Sequence, residues 1–134
     1  MAKFRRATSI FRSFLRDAEE YHAQPEQADL LARRAYDRAQ KHPGPLRRVW
    51  GEFSTFIRLV RAWSKGEYRQ APWRSIAFAI AALLYFVSPI DAIPDFIPII
   101  GFVDDAFVIA LVMRAIRKDV EKFRLWEDTV IPMS

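Results

Sequence analysis

The chain is 134 residues long, 51% hydrophobic and 28% charged, with a formal net charge of +5 and no cysteine. That length suits one domain, the apolar content excludes intrinsic disorder, and the lack of cysteine excludes a disulfide framework, a thiolate nucleophile and a thiolate metal site. With only His22 and His42 left, a His-rich zinc site is excluded as well.

The hydrophobic pattern predicts helices throughout and no strands. From about Lys3 to Tyr21, the residues Phe4, Ala7, Phe11, Phe14, Ala18 and Tyr21 recur at spacings of three and four, which is one face of a helix. Arg5, Arg6, Arg12 and Arg16 take other positions, and no signal-peptide core is present. Such a basic helix could lie on a membrane or pack its Phe face onto the rest of the domain. Pro25 opens a second helix to about Lys41, with a small-residue stripe of Ala28, Leu31, Ala35 and Ala39 that suggests peripheral packing. After the break at His42-Pro43-Gly44-Pro45, a third helix is expected from Leu46 to about Lys65. Its stripe is Leu46, Val49, Trp50, Phe53, Phe56, Ile57, Val60 and Trp63, and Lys65-Gly66 supplies the stop.

A fourth helix starts at Pro72, and Ser75 to Ile90 carries no charge. At helical rise that run is roughly 24 Å, short of the roughly 30 Å of bilayer hydrocarbon. Pro89, Pro94 and Pro98 break the next stretch, and a last helix is expected from about Asp104 to Trp126. Its uncharged part, Ala106 to Met113, is also too short to span. The fold class is therefore all-α: a small bundle of about five helices with an apolar hairpin and a Pro/Asp-rich tip. The division expected is a basic lead-in at 1–70, the hairpin domain at 71–126 and a short tail at 127–134.

Charge is unevenly spread. Residues 1–74 balance at +8, residues 75–113 contain four Asp and no cation, and residues 114–134 balance at +1. A cation-free stretch with Lys and Arg on both flanks is the pattern of a membrane-associated segment whose flanks stay cytoplasmic. Trp73, Arg74, Arg114 and Arg117 sit where the apolar arms begin and end, and suit membrane-interface anchors. Anionic headgroups are the expected partners; nucleic acid ranks well behind, since no nucleic-acid-binding motif accompanies the basic residues. Transmembrane helices would be strained at these lengths, and a hairpin inserted part-way fits better. On that reading Ala79→Arg would release the protein from membranes and leave the remaining helicity intact.

The segment Leu84-Tyr85-Phe86-Val87-Ser88-Pro89-Ile90-Asp91-Ala92-Ile93-Pro94-Asp95-Phe96-Ile97-Pro98-Ile99-Ile100-Gly101-Phe102-Val103-Asp104-Asp105 resembles the YkvA-like family, small bacterial membrane-associated proteins sharing a domain of unknown function. The family's tyrosine, Ser-Pro-Ile-Asp, Ile-Pro-Asp, Ile-Pro, glycine and Asp-Asp occur here in order, over roughly residues 71–115. Ala92 and Phe102 stand where the family often has Leu and Tyr. The resemblance implies location at the bacterial cytoplasmic membrane and no established activity.

Asp91, Asp95, Asp104 and Asp105 stand in apolar sequence, where ionised carboxylates need partners. Capping is the plainest account. Ser88-Pro89-Ile90-Asp91 reads as a capping-box variant, and Asp104 or Asp105 suits the start of the last helix. Pro94, Pro98 and Gly101 complete the motif as turn formers. A divalent site for Mg or Ca on the four aspartates ranks second, because oxygen-only ligands suit those ions but the spacing matches no known loop. A catalytic carboxylate pair ranks third, lacking a nucleophile, a phosphate loop or a His partner. No cofactor is expected otherwise. The reading favoured is a non-enzymatic membrane-associated protein acting through lipid or protein contacts. The rivals are a metal-dependent membrane-proximal enzyme and a soluble homo-oligomer that buries the hairpin.

Overall fold

The computed structural model describes residues 11–41, 44–87 and 108–130. Among these residues there is no strand, and the architecture is a small all-α bundle. Residues 11–18 form α1, which tightens into a 3-10 turn at Glu19–Ala23. There follow α2 at Pro25–Lys41, a second 3-10 turn at Gly44–Val49, α3 at Trp50–Ser64 and α4 at Trp73–Val87. Residues 108–115 form α5, and Arg117–Val130 form α6. Ile116 lies between α5 and α6, yet its N–H bonds the Val112 carbonyl at 3.0 Å and its carbonyl accepts the Val120 N–H at 3.0 Å. The two therefore run on as one rod.

At the centre is α4. Ten of its fifteen residues are buried, from Ser75 to Phe86, so it is covered on nearly every side. A helix that is apolar all round must be enclosed by something, and here the enclosure is protein. Phe11 and Phe14 of α1 meet Phe78 and Tyr85 edge-on, each with ring centroids 5.9 Å apart. The Phe face of the first helix thus packs on the domain, one of the two roles its pattern allowed.

The second helix departs from expectation. Rather than lying at the periphery, α2 packs against both α3 and α4. Ala28, Ala32, Ala35 and Ala39 are almost wholly buried, and these short side chains let the helix backbones come close. A weakly hydrophobic stripe was a poor guide to burial because contact depends on separation as well as side-chain size.

The third helix also starts later than its pattern suggests. Leu46 is buried, but within the 3-10 turn, and α3 begins at Trp50. Its end follows the expected stop closely. Gly66 adopts φ +77°; its N–H bonds the Trp63 carbonyl and the Glu67 N–H bonds the Ala62 carbonyl, at 3.0 and 2.9 Å. That pair of bonds is a Schellman cap, which satisfies carbonyls the helix end would otherwise leave bare. At the far end of the chain α6 continues to Val130, past the expected end at Trp126. Thr129 Oγ1 donates to the Trp126 carbonyl at 2.8 Å, and Glu127 is tied to α3.

Among the described residues no helix is long and apolar enough to cross a membrane.

Candidate functional site

Ser88, Pro89, Asp91, Pro94, Asp95, Pro98, Gly101, Asp104 and Asp105 lie outside the described residues, and the capping and metal readings of the motif lie there with them. Among the described residues no group of three or more His, Cys, Asp or Glu is arranged to hold a metal ion. What the structure places is the frame that carries the motif: α4 leading to it and α5 returning from it.

The entrance to α4 is built from parts far apart in sequence. The Pro72 carbonyl accepts N–H bonds from Ser75 and Ile76, at 3.0 and 3.3 Å, and starts the helix. The indole N–H of Trp73 donates to the Glu19 carboxylate, with oxygens at 3.1 and 3.2 Å. His22 stacks on the same indole at 4.2 Å and 12°. Trp63 lies 5.3 Å away, and the Arg69 guanidinium sits over its ring. The Trp73 indole is therefore engaged inside the protein by Glu19, His22 and Trp63. Arg74 is exposed with its guanidinium over Phe78, and Arg114 and Arg117 are exposed on the returning rod.

Polar groups under the helices are matched with care. Ser75, buried in the first turn of α4, donates a hydrogen bond to the Asp119 carboxylate of α6. Thr55, buried in α3, donates to the Gly51 carbonyl at 2.7 Å and accepts from Arg58 and Arg124 at 3.2 and 3.0 Å. Arg58 in turn donates to Glu127, at 2.7 and 3.4 Å. Asp29 takes Arg33 and Arg61, at 3.2 and 3.1 Å. These exposed or half-exposed pairs hold geometry more than they add stability. Between α2 and α3 they frame an open groove of about 450 Å³, with Ala32 and Ile57 as its apolar floor and Tyr36 at its rim. Its three arginines, Arg33, Arg58 and Arg61, already face carboxylates, and Arg58 also donates to Ser54 Oγ at 3.4 Å.

Sequence reasoning missed these pairings. Arg58 and Glu127 are 69 positions apart, as are Thr55 and Arg124, and no local period links residues at that distance.

The Tyr68 hydroxyl, packed against Phe123 and Trp126 with centroids 5.1 and 5.0 Å away, finds no hydrogen bond among the described residues. Burial pushes its phenol pKa up, and the negative charge of Asp119 pushes the same way. A raised phenol pKa means stability that is full below the unfolded value of about 10 and is lost as pH rises through the folded value. Tyr68→Phe is expected to be neutral or stabilising by about 1–3 kcal/mol, since it removes an unsatisfied buried hydroxyl. It should also flatten the fall in stability as pH rises above about 10. Urea melts of both proteins across that range check this. Tyr21, whose phenol is also raised mainly by burial, remains in both and supplies the residual slope.

Comparison with known proteins matches this frame. A family model described as a protein of unknown function (DUF1232) matches residues 75–111, from the buried serine of α4 to the exposed Leu111 of α5. The chain is also similar to the uncharacterized membrane protein YkvA of Bacillus subtilis (strain 168). The two are 37% identical over 73 residues, which cover 54% of this chain and 69% of the relative. No solved structure matches. Since the Ser-Pro-Ile-Asp, Ile-Pro-Asp and Asp-Asp elements stand in order and more than two thirds of that relative is covered, the chain belongs to the YkvA-like family.

Proposed function

We propose that this protein is a non-enzymatic, membrane-associated helical bundle that acts through lipid or protein contacts at the cytoplasmic face, with both termini on that side. The observation that carries the reading is its similarity to a relative whose name calls it a membrane protein. The cation-free run between basic flanks supports it, because Lys and Arg are retained on the cytoplasmic side of a membrane. The apolar side chains of α4 are already spent on the core, so attachment from one face agrees better with the bundle than a spanning hairpin.

Fractionation tests this. The expressed protein is expected in the membrane pellet. Release by salt or alkaline carbonate would indicate surface attachment, and release by detergent alone an inserted segment. Recovery wholly in the soluble fraction would overturn the reading. The four aspartates, Asp91, Asp95, Asp104 and Asp105, would then be tested for Mg or Ca binding, and the particle size for a homo-oligomer.

A further inference from the structure

The two ends of the bundle differ. At the end where α4 stops, an aromatic ladder climbs from the core to the surface. Phe86 packs edge-on against Phe53 at 4.8 Å, Phe53 lies 6.1 Å from Trp50, and Trp50 lies 6.4 Å from Tyr36. The lower rungs are buried, whereas Tyr36 and Trp50 are 46% and 37% exposed. Arg38 lies over the Phe86 ring, which brings the C-terminal end of α2 beside that of α4. Lys41, Arg47 and Arg48 are exposed around this end, with Asp37 and Glu52 as the acidic residues on the same turns.

Arg38 and Lys41 occupy the last turn of α2, where cations complement the helix dipole. Arg47 and Arg48 close the 3-10 turn at Gly44–Val49, just before α3, whose first turn carries Glu52. Exposed Tyr and Trp beside such cations are the side chains that settle at a headgroup boundary, with an apolar body and a polar tip.

We infer that this end of the bundle, with Lys41, Arg47 and Arg48 around the Tyr36–Trp50 pair, docks on an anionic phospholipid surface. The inference rests on the membrane reading above and adds to it the face and the headgroup charge. Charge complementarity selects the occupant. The surface lies at the end of the bundle where α4 stops at Val87. This is the opposite end from Trp73 and Arg74, where the indole is taken up by Glu19 and His22.

The test uses the full chain and protein-free vesicles, either of phosphatidylcholine alone or with one part in four phosphatidylglycerol. Wild type is expected to bind the anionic vesicles, and less tightly as salt rises. The variant Lys41→Gln/Arg47→Gln/Arg48→Gln should keep its circular dichroism and lose about 100-fold in vesicle affinity, at roughly fivefold per cation. A second measurement needs no charge change: brominated lipid should quench wild-type tryptophan fluorescence and quench Trp50→Phe much less. Undiminished binding by the triple variant would overturn the inference and leave the membrane reading standing. So would loss on Arg74→Gln/Arg114→Gln/Arg117→Gln alone, which would move the contact to the other end. Binding to native membranes but not to protein-free vesicles would overturn it in favour of a protein partner. Failure to bind either, with the protein soluble on fractionation, would overturn both readings.

Discussion

Ala79→Arg is expected to unfold this protein rather than free an intact bundle from a membrane. Ala79 is completely buried at the middle of α4. An unpaired buried charge costs several kcal/mol, and overpacking adds about 1–3 more. Against a total stability of about 5–15 kcal/mol, little would remain. The purified variant should lose its cooperative thermal transition and most of its tertiary signal. Ala110→Arg, on the exposed face of α5, should change stability by no more than about 0.5 kcal/mol. A cooperative melt for Ala79→Arg close to wild type would mean that α4 is exposed in solution, and that its apolar surface is free for lipid after all. The sequence alone suggested that outcome; burial of α4 by its own chain reverses it.

Phe53→Ala carries the second large effect. Phe53 is fully buried and joins the exposed Trp50 to the buried Phe86, so truncation opens a cavity where α3 and α4 meet. A loss of about 3–5 kcal/mol is expected, from the removed apolar surface and the void together. Urea unfolding would show it as a lower midpoint with an unchanged slope. Leu125→Ala, at a side chain 66% exposed on α6, should be nearly silent. Equal sensitivity at the two positions would place Leu125 in a contact that the single chain does not show.

Much of the fold was legible in the residues. The boundaries of α2 follow from Pro25 and the break after Lys41, and the stop of α3 from Lys65-Gly66, because caps and breakers act over a few residues and leave local marks. The 3-10 turn at Gly44–Val49 was read as the start of α3, since Leu46 and Val49 extend the same apolar period whichever helix they sit in. The role of α2 was misjudged for a different reason: alanine is weakly hydrophobic by itself, and its value in packing appears only when another helix backbone lies against it. Trp73 and Arg74 stand in the first turn of α4, at the beginning of the apolar arm. That Glu19 and His22 would take up the Trp73 indole could not be read, because they lie more than fifty positions away.

By itself, then, the sequence determined the all-α class, the family and the cation-free run between basic flanks. These rest on periodicity, motif order and charge, which are properties of the chain in one dimension. Only the tertiary structure decided what the apolar arm touches. Hydrophobicity drives α4 out of water without specifying whether lipid or protein receives it, and in this bundle α1, α2 and α3 close around it first.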